Sequence, residues 1–306
     1  MSLEIEEKLA KIPVINLLVR FLKTIKLPGF EGLSIYDLLE MYFIGIVKGA
    51  MTYRASAISF SFFMAIFPFL LFILNLIPYV PVDNFQNDFL RFIQGLLPPN
   101  TADFFDGIIK DIAINRRGGL LSSVFFLSIF LMANGINSIF GGFETSYHVK
   151  ITRNVVKQYL VSIAVALLLV FLLVVGVICF VYFEIYIVQN LKDGGYLSSG
   201  ETAVKVGRFV FFILICYIST ATLYYFATPE GRLSKFFSPG ALLTTVLIIL
   251  TTYFFGLYIE NFSTYNELYG SIGALLILML YIWLNSNILL LGFELNASLR
   301  SLKRYQ

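Results

Sequence analysis

SPGALLTTVLIILTTYFFGLYIE, from Ser238 to Glu260, and GSIGALLILMLYIWLNSNILLLGFE, from Gly270 to Glu294, decide the fold of this chain. The first carries no formal charge before Glu260 and the second none before Glu294. Runs of about 20 apolar residues are long enough to cross a hydrocarbon core of roughly 30 Å as helices. With only the short aromatic connection Asn261–Tyr269 between them, the two runs make a transmembrane hairpin.

Working outward, four further runs share this character, at residues 56–79, 119–143, 159–183 and 209–228, and the hairpin supplies 240–259 and 270–294. Asp, Glu, Lys and Arg are absent from the interiors of all six. With 306 residues, 58% hydrophobic and 13% charged, and a mean hydropathy of +0.83, the chain has the composition of a membrane protein. The expected fold is all-α, with six transmembrane helices over residues 54–300, amphipathic interfacial helices over 1–53 and a short cytoplasmic tail at 301–306. A net charge of +3 is too small to argue for nucleic acid. Cys179 and Cys216 both lie inside apolar runs and suggest packing, not a disulfide framework or a thiolate metal site. The run Val14–Leu22 is short and contains Arg20, so no cleavable leader is expected.

The connecting segments have periodicity of their own. Val14, Leu17, Leu18, Phe21, Leu22 and Ile25 fall at helical spacing, with Lys11, Arg20, Lys23 and Lys26 mostly on the other side, the pattern of a basic helix lying in a membrane interface. Ile35, Leu38, Leu39, Tyr42, Phe43, Ile46, Ala50 and Met51 repeat it. Between the first two spans, residues 80–118 hold two short amphipathic patterns, Phe85, Phe89, Phe92, Ile93 and Leu96, then Phe104, Phe105, Ile108, Ile109 and Ile112. Asp83, Asp88, Asp103, Asp106 and Asp111 line their opposite sides. This segment is expected to fold over the bundle as an external cap, the plainer alternative being interfacial anchoring.

Basic residues orient the spans. Lys8, Lys11, Arg20, Lys23, Lys26, Lys48, Arg54, Lys150, Arg153, Lys157, Arg232, Lys235, Arg300, Lys303 and Arg304 fall on one side. Arg91, Lys110, Arg116, Arg117, Lys192, Lys205 and Arg208 fall on the other. Fifteen against seven accounts for all 22, and the bias favours both termini in the cytoplasm.

Arg54-Ala55-Ser56-Ala57-Ile58-Ser59-Phe60 with Pro68 downstream, Tyr224-Tyr225-Phe226-Ala227-Thr228-Pro229, Ser238-Pro239-Gly240-Ala241, Tyr265 with Tyr269-Gly270-Ser271-Ile272-Gly273-Ala274, and Leu291-Gly292-Phe293-Glu294-Leu295-Asn296 occur in that order. Together they resemble the YihY/BrkB family of bacterial inner-membrane proteins over nearly all of the membrane region. The family's usual Trp in the last span falls on Tyr281, with Trp283 two residues later. The resemblance implies six spans with both termini inside. It carries two functional associations, a long-standing ribonuclease name and the movement of lipids or other solutes across the inner membrane.

The residues themselves arbitrate between these. A metal-dependent nuclease needs several His and carboxylate ligands, whereas this chain has one histidine, His148, in a short loop beside Lys150 and Arg153. A metal-free nuclease needs a general acid and base on an RNA-binding surface, and no basic, aromatic single-strand platform is visible. No Gly-rich phosphate loop points to an ATPase. No enzyme, cofactor or metal is therefore expected, and no nucleic acid partner. The transport reading rests on polar groups at membrane depth: Asn75, Asn134, Asn137, Asn285, Asn287 and Glu294. A carboxylate inside a span costs roughly 2.5–3.5 kcal/mol at the centre and usually faces a cavity or partner. The bland alternative is interhelical hydrogen bonding, worth about 0.6 kcal/mol on average, with Glu294 at the interface. Arg54 stands just before the first span and Glu294 near the end of the last, so the two are expected to meet and close the cytoplasmic end of a polar cavity, the competing role of Arg54 being contact with lipid phosphate. Ala57, Ser61 and Ala65, and Ala133, Asn137 and Gly141, form small-residue rows that permit close helix approach. Pro68 is a candidate kink. The expected function is a transporter or flippase of an envelope lipid or other amphiphile, not driven by ATP. The alternatives are a non-transporting membrane scaffold and a small-solute or ion transporter. Membrane lipids are the expected partners, and a homo-oligomer stays open.

Overall fold

The computed structural model describes residues 13–26, 34–37, 39–40, 50–76, 121–146, 153–183, 200–229, 235–261 and 271–304. Its helices are α1 (Pro13–Thr24), α2 (Met51–Leu76), α3 (Leu121–Glu144), α4 (Val155–Tyr182), α5 (Gly200–Ala227), α6 (Pro239–Asn261) and α7 (Ser271–Arg304). The expected cap at 80–118 and His148 lie outside the described residues.

The starts of the helices are written in their sequences. Pro239 opens α6 at the one position where its missing N–H is no loss, and Ser238 caps it, its Oγ accepting from Ala241 N at 3.3 Å. Asn154, in extended backbone, caps α4 by accepting from Val156 N at 3.3 Å. Ala50 precedes α2 with φ 45°, a left-handed conformation that turns the chain into the helix, and its carbonyl accepts from Arg54 N at 3.0 Å. Ahead of these, Ser34 and Asp37 exchange a capping box: Ser34 N donates to Asp37 Oδ2 at 2.8 Å and Asp37 N to Ser34 Oγ at 3.2 Å. Lys23 Nζ lies 4.7 Å from the centre of the Tyr36 ring and ties α1 to this turn.

Helices α3 to α7 each contain a stretch long and apolar enough to cross a membrane, such as Val155–Phe180 and Pro239–Ile259. They run beyond the expected spans. α5 begins at Gly200, taking in Lys205 and Arg208, and α7 continues past Glu294 to Arg304. Charge stops a membrane span, but it does not stop a helix, because Lys, Arg and Glu are good helix formers once they reach water. The outer surface bears Phe171, Leu160, Phe209, Tyr253 and Phe254, each more than half exposed, which suits a lipid solvent.

Consecutive helices from α2 to α7 pack side by side, and α7 returns to pack on α2, so the six form a closed ring. Contacts between the start of one helix and the end of its neighbour, described below, fix an alternating up-and-down course. The main core cluster sits at the end of the ring that carries Arg54, with Phe143, Phe293, Tyr224, Leu290 and Ile58 all buried. A smaller cluster of Phe255, Ile259 and Ile277 packs α6 against α7 near their connection.

Candidate functional site

At the Arg54 end, three helices are joined by one polar latch. Arg54, one turn into α2, donates from NH2 to Glu294 Oε1 at 3.1 Å and from NH1 to the same oxygen at 3.2 Å. NH1 also donates to Gly142 O at 2.9 Å, in the last turn of α3. The second carboxylate oxygen of Glu294 accepts from Ser146 Oγ at 2.6 Å. Thus Arg54 serves an orphan carbonyl at the negative end of α3 as well as the carboxylate, and both contacts favour a cation. The two charged side chains are only 10% and 12% exposed. Removing one partner from such a pair strands a charge and costs about 3–5 kcal/mol. Gly142 makes the approach possible: a Cβ there would lie 2.9 Å from Ile58 Cδ1 and 3.4 Å from Leu290 Cδ2, pressing on α2 and α7 together.

A second set of contacts locks α3, α4 and α5 at the same end. Arg153 NH1 donates to Phe226 O at 2.6 Å and Ala227 O at 3.3 Å, closing the C-terminus of α5. Glu144 accepts from Arg153 N at 3.3 Å and, with the amide nitrogen of Gln158 turned towards it, from that side chain at 2.8 and 3.1 Å.

A third set fastens α5, α6 and α7. Tyr224 OH donates to Leu289 O at 2.7 Å and lies 2.6 Å from Thr244 Oγ1. Asn296 accepts from Gly240 N at 2.8 Å and donates to Ser238 Oγ at 2.8 Å. Gly240 and Gly292 let the two backbones touch: a Cβ on Gly240 would strike Gly292 O, and one on Gly292 would strike Thr244 Oγ1. Phe143 stacks on Phe293 with ring centres 4.2 Å apart, and Tyr224 meets Phe143 edge-on at 5.6 Å. From Leu289 to Leu299 only Leu291 and Glu294 are not buried, so this end of the ring is filled.

Midway along the ring the packing changes. No described side chain is buried between residues 167 and 176 of α4, 209 and 219 of α5, 246 and 254 of α6, or 278 and 285 of α7. Each stretch exceeds two helical turns and is only partly covered, its inward contacts being partly buried side chains: Leu169, Tyr217 and Trp283 against the main core, Tyr281 and Leu284 against the smaller cluster. Asn285 lies in this region. Its Nδ2 donates to Tyr281 O at 2.8 Å, while its buried Oδ1 has no hydrogen-bond partner among the described residues. Tyr281 OH lies 2.7 Å from Thr252 Oγ1 across the α6–α7 contact.

The expected meeting of Arg54 with Glu294 is therefore present, and the asparagines stand apart from it. Asn287 donates to Trp283 O at 2.8 Å within its own helix. Asn134 and Asn137 are half-buried on α3, and Asn75 lies in α2 with its side chain outside the description. The small-residue rows engage differently from their sequence pattern. Ser61 and Ala65 do face α3, but Ser138 and Gly135 meet them: Ser138 Oγ donates to Ser61 Oγ at 2.7 Å, and a Cβ on Gly135 would lie 3.7 Å from Ala65 Cβ. Ala57 is exposed and Gly141 has open space beside it. Helix α2 continues through Pro68, whose carbonyl accepts from Ser128 Oγ at 2.6 Å. Ser146, Gly142, Arg153 and the Tyr224–Thr244 pair are not among the site residues expected from sequence. Gly292 inside a long helix was the one available signal, since such a glycine marks close backbone approach.

A ring of long apolar helices with an oily exterior, its described ion pair and arginine contacts gathered at one end, defines a polytopic helical membrane protein. The chain belongs to the BrkB family: the profile described as virulence factor BrkB matches residues 45–306. It is 29% identical over 255 residues to the ribonuclease-like protein YfkH of Bacillus subtilis strain 168, covering 82% of this chain and 90% of that one. It is 25% identical over 248 residues to a UPF0761 membrane protein of Coxiella burnetii strain Dugway 5J108-111, covering 78% and 84%. No solved structure matches it.

Proposed function

We propose that this protein is a six-span transporter or flippase of the bacterial inner membrane that moves an envelope lipid or other amphiphile without ATP. Helix α2 is the sixth span, α1 lies in the interface, and both termini are cytoplasmic. The observation that carries the reading is the contrast within the ring: its Arg54 end is sealed by three sets of side-chain contacts, while α4 to α7 lack a buried face at mid-length. A path needs room in the middle and closure at one end in each state, and the latch is the cytoplasmic gate of that cycle. Both oxygens of Glu294 are engaged by Arg54 and Ser146, which suits a gate better than a general base. The ribonuclease word in the Bacillus relative's name gains no support from this site, and we treat the chain as non-catalytic.

The test is reconstitution in liposomes with fluorescent phospholipids. The wild type should exchange lipid between leaflets several-fold faster than empty vesicles. Glu294→Gln should change that rate, and the charge swap Arg54→Glu with Glu294→Arg should recover part of it. Folded protein that moves none of several headgroups would sink lipid transport and leave the envelope scaffold or a water-soluble substrate.

A further inference from the structure

Beside the sealed knot, at the ends of α5 and α7 and the start of α6, a small recess is lined by Tyr225, Lys235, Phe236, Ser238, Asn296 and Arg300, with Tyr224 and Phe293 at its floor. It has room for about one water, roughly 10 Å³. Among the described residues, no carboxylate lines it. Lys235 is exposed at the mouth, and the Arg300 guanidinium is held against one wall, 5.7 Å from the centre of the Phe293 ring. Ser238 Oγ accepts from Asn296 and from Ala241 N, so its own hydroxyl proton is the one it has to offer outward. The lining is thus rich in donors and positive charge, and it calls for an anion.

One rim of the recess is aromatic and continues along α5. Phe236 meets Tyr225 and Phe237 edge-on at 5.7 and 5.1 Å, and Phe237, 62% exposed, stacks on Tyr217 at 5.6 Å. Leu214 and Val210, both exposed, follow Tyr217 at the spacing of one helix face. The apolar stripe leads from the basic mouth along a helix that spans the membrane, as an acyl chain would run from its headgroup.

We propose that this recess and stripe bind an anionic phospholipid, its phosphate at Lys235 and Arg300 and one acyl chain along Phe237, Tyr217, Leu214 and Val210. The recess admits a single phosphate oxygen; the rest of the headgroup stays at the mouth. The stripe is what selects a lipid over free phosphate, because only a lipid uses both halves of the surface. Binding here does not require the lipid to be carried, so the site and the transport reading can fail separately.

The experiment is native mass spectrometry of the delipidated full chain in detergent, titrated with dioctanoyl phosphatidylglycerol, dioctanoyl phosphatidylcholine or inorganic phosphate. Phosphatidylglycerol should bind more tightly than phosphatidylcholine. Lys235→Gln should weaken it about fivefold, the usual effect of one basic residue at an anionic membrane surface, and Lys235→Glu should weaken it further. Because Lys235 is exposed, neither change should disturb the fold. Leu214→Gln tests the stripe separately and should weaken phosphatidylglycerol without strengthening phosphate. Equal binding of the two lipids, indifference to Lys235→Glu, or displacement of phosphatidylglycerol by an equal concentration of inorganic phosphate would each overturn the proposal.

Discussion

The two ends of helix α7 behave as different materials. From Leu289 to Leu299 it is packed on nearly every side, its Gly292 in backbone contact with α6, its Glu294 latched and its Asn296 tied to the start of α6. From Met279 to Asn285 no residue is buried, and one asparagine oxygen has no partner among the described residues. The same helix, with the same apolar character, is almost wholly enclosed in one half and only partly covered in the other, where Trp283 still reaches the main core and Tyr281 and Leu284 the smaller cluster. Composition therefore does not set packing here. Small residues and paired polar groups decide where the bundle closes, since lipid offers little hydrophobic drive for helix to pack on helix.

The largest expected effect comes from the tightest contact. Gly292→Ala would force apart α6 and α7 and displace Tyr224 and Thr244, costing about 3 kcal/mol or more, which a thermal melt in detergent should show as a large loss of stability. Gly256→Ala has nothing within 4 Å and should gain up to about 1 kcal/mol through helix propensity. Equal melts for the two would erase the distinction between the regions.

The latch substitutions are of comparable size. Arg54→Ala or Glu294→Ala should each cost about 3–5 kcal/mol, and Ser146→Ala about 1–3 kcal/mol. The double variant Arg54→Ala/Glu294→Ala should cost less than the sum of its parts, because neither charge is then left stranded. A strictly additive cycle would mean that the pair does not interact.

Smaller still is Asn287→Ala, which loses only a bond to its own helix and should cost about 0.6 kcal/mol. Ala50→Gly should be stabilising by about 1 kcal/mol, since glycine accepts the left-handed backbone at the start of α2 without strain. Denaturant or thermal midpoints measured side by side would order these.

The positions of the apolar helices were legible because charge is expelled from the hydrocarbon. Five of the expected runs coincide with stretches of α3 to α7 that could span a membrane. Their rotation was not legible. α6 is apolar all round, so no periodicity says that Thr244 faces Tyr224 while Tyr253 faces out. Arg54 and Glu294 could be paired from sequence because they are the charges nearest one end of the first and last spans. Ser146 and Gly142 could not, because a serine and a glycine at the end of an apolar helix look the same whether they serve a latch or a loop. The sequence pattern groups Asn285 and Asn287 with Glu294, but an asparagine amide can donate to the preceding turn of its own helix, and both do so.

The most direct measurement is thiol labelling at mid-ring. A protein lacking Cys179 and Cys216 and carrying Asn285→Cys would be reconstituted with known orientation and exposed to a membrane-impermeant thiol reagent from each side. Labelling from the outer side, with protection from the cytoplasmic side that is lost in Glu294→Gln, is the predicted result. An unreactive cysteine from both sides, in protein that labels fully once denatured, would contradict a path closed by the Arg54–Glu294 latch.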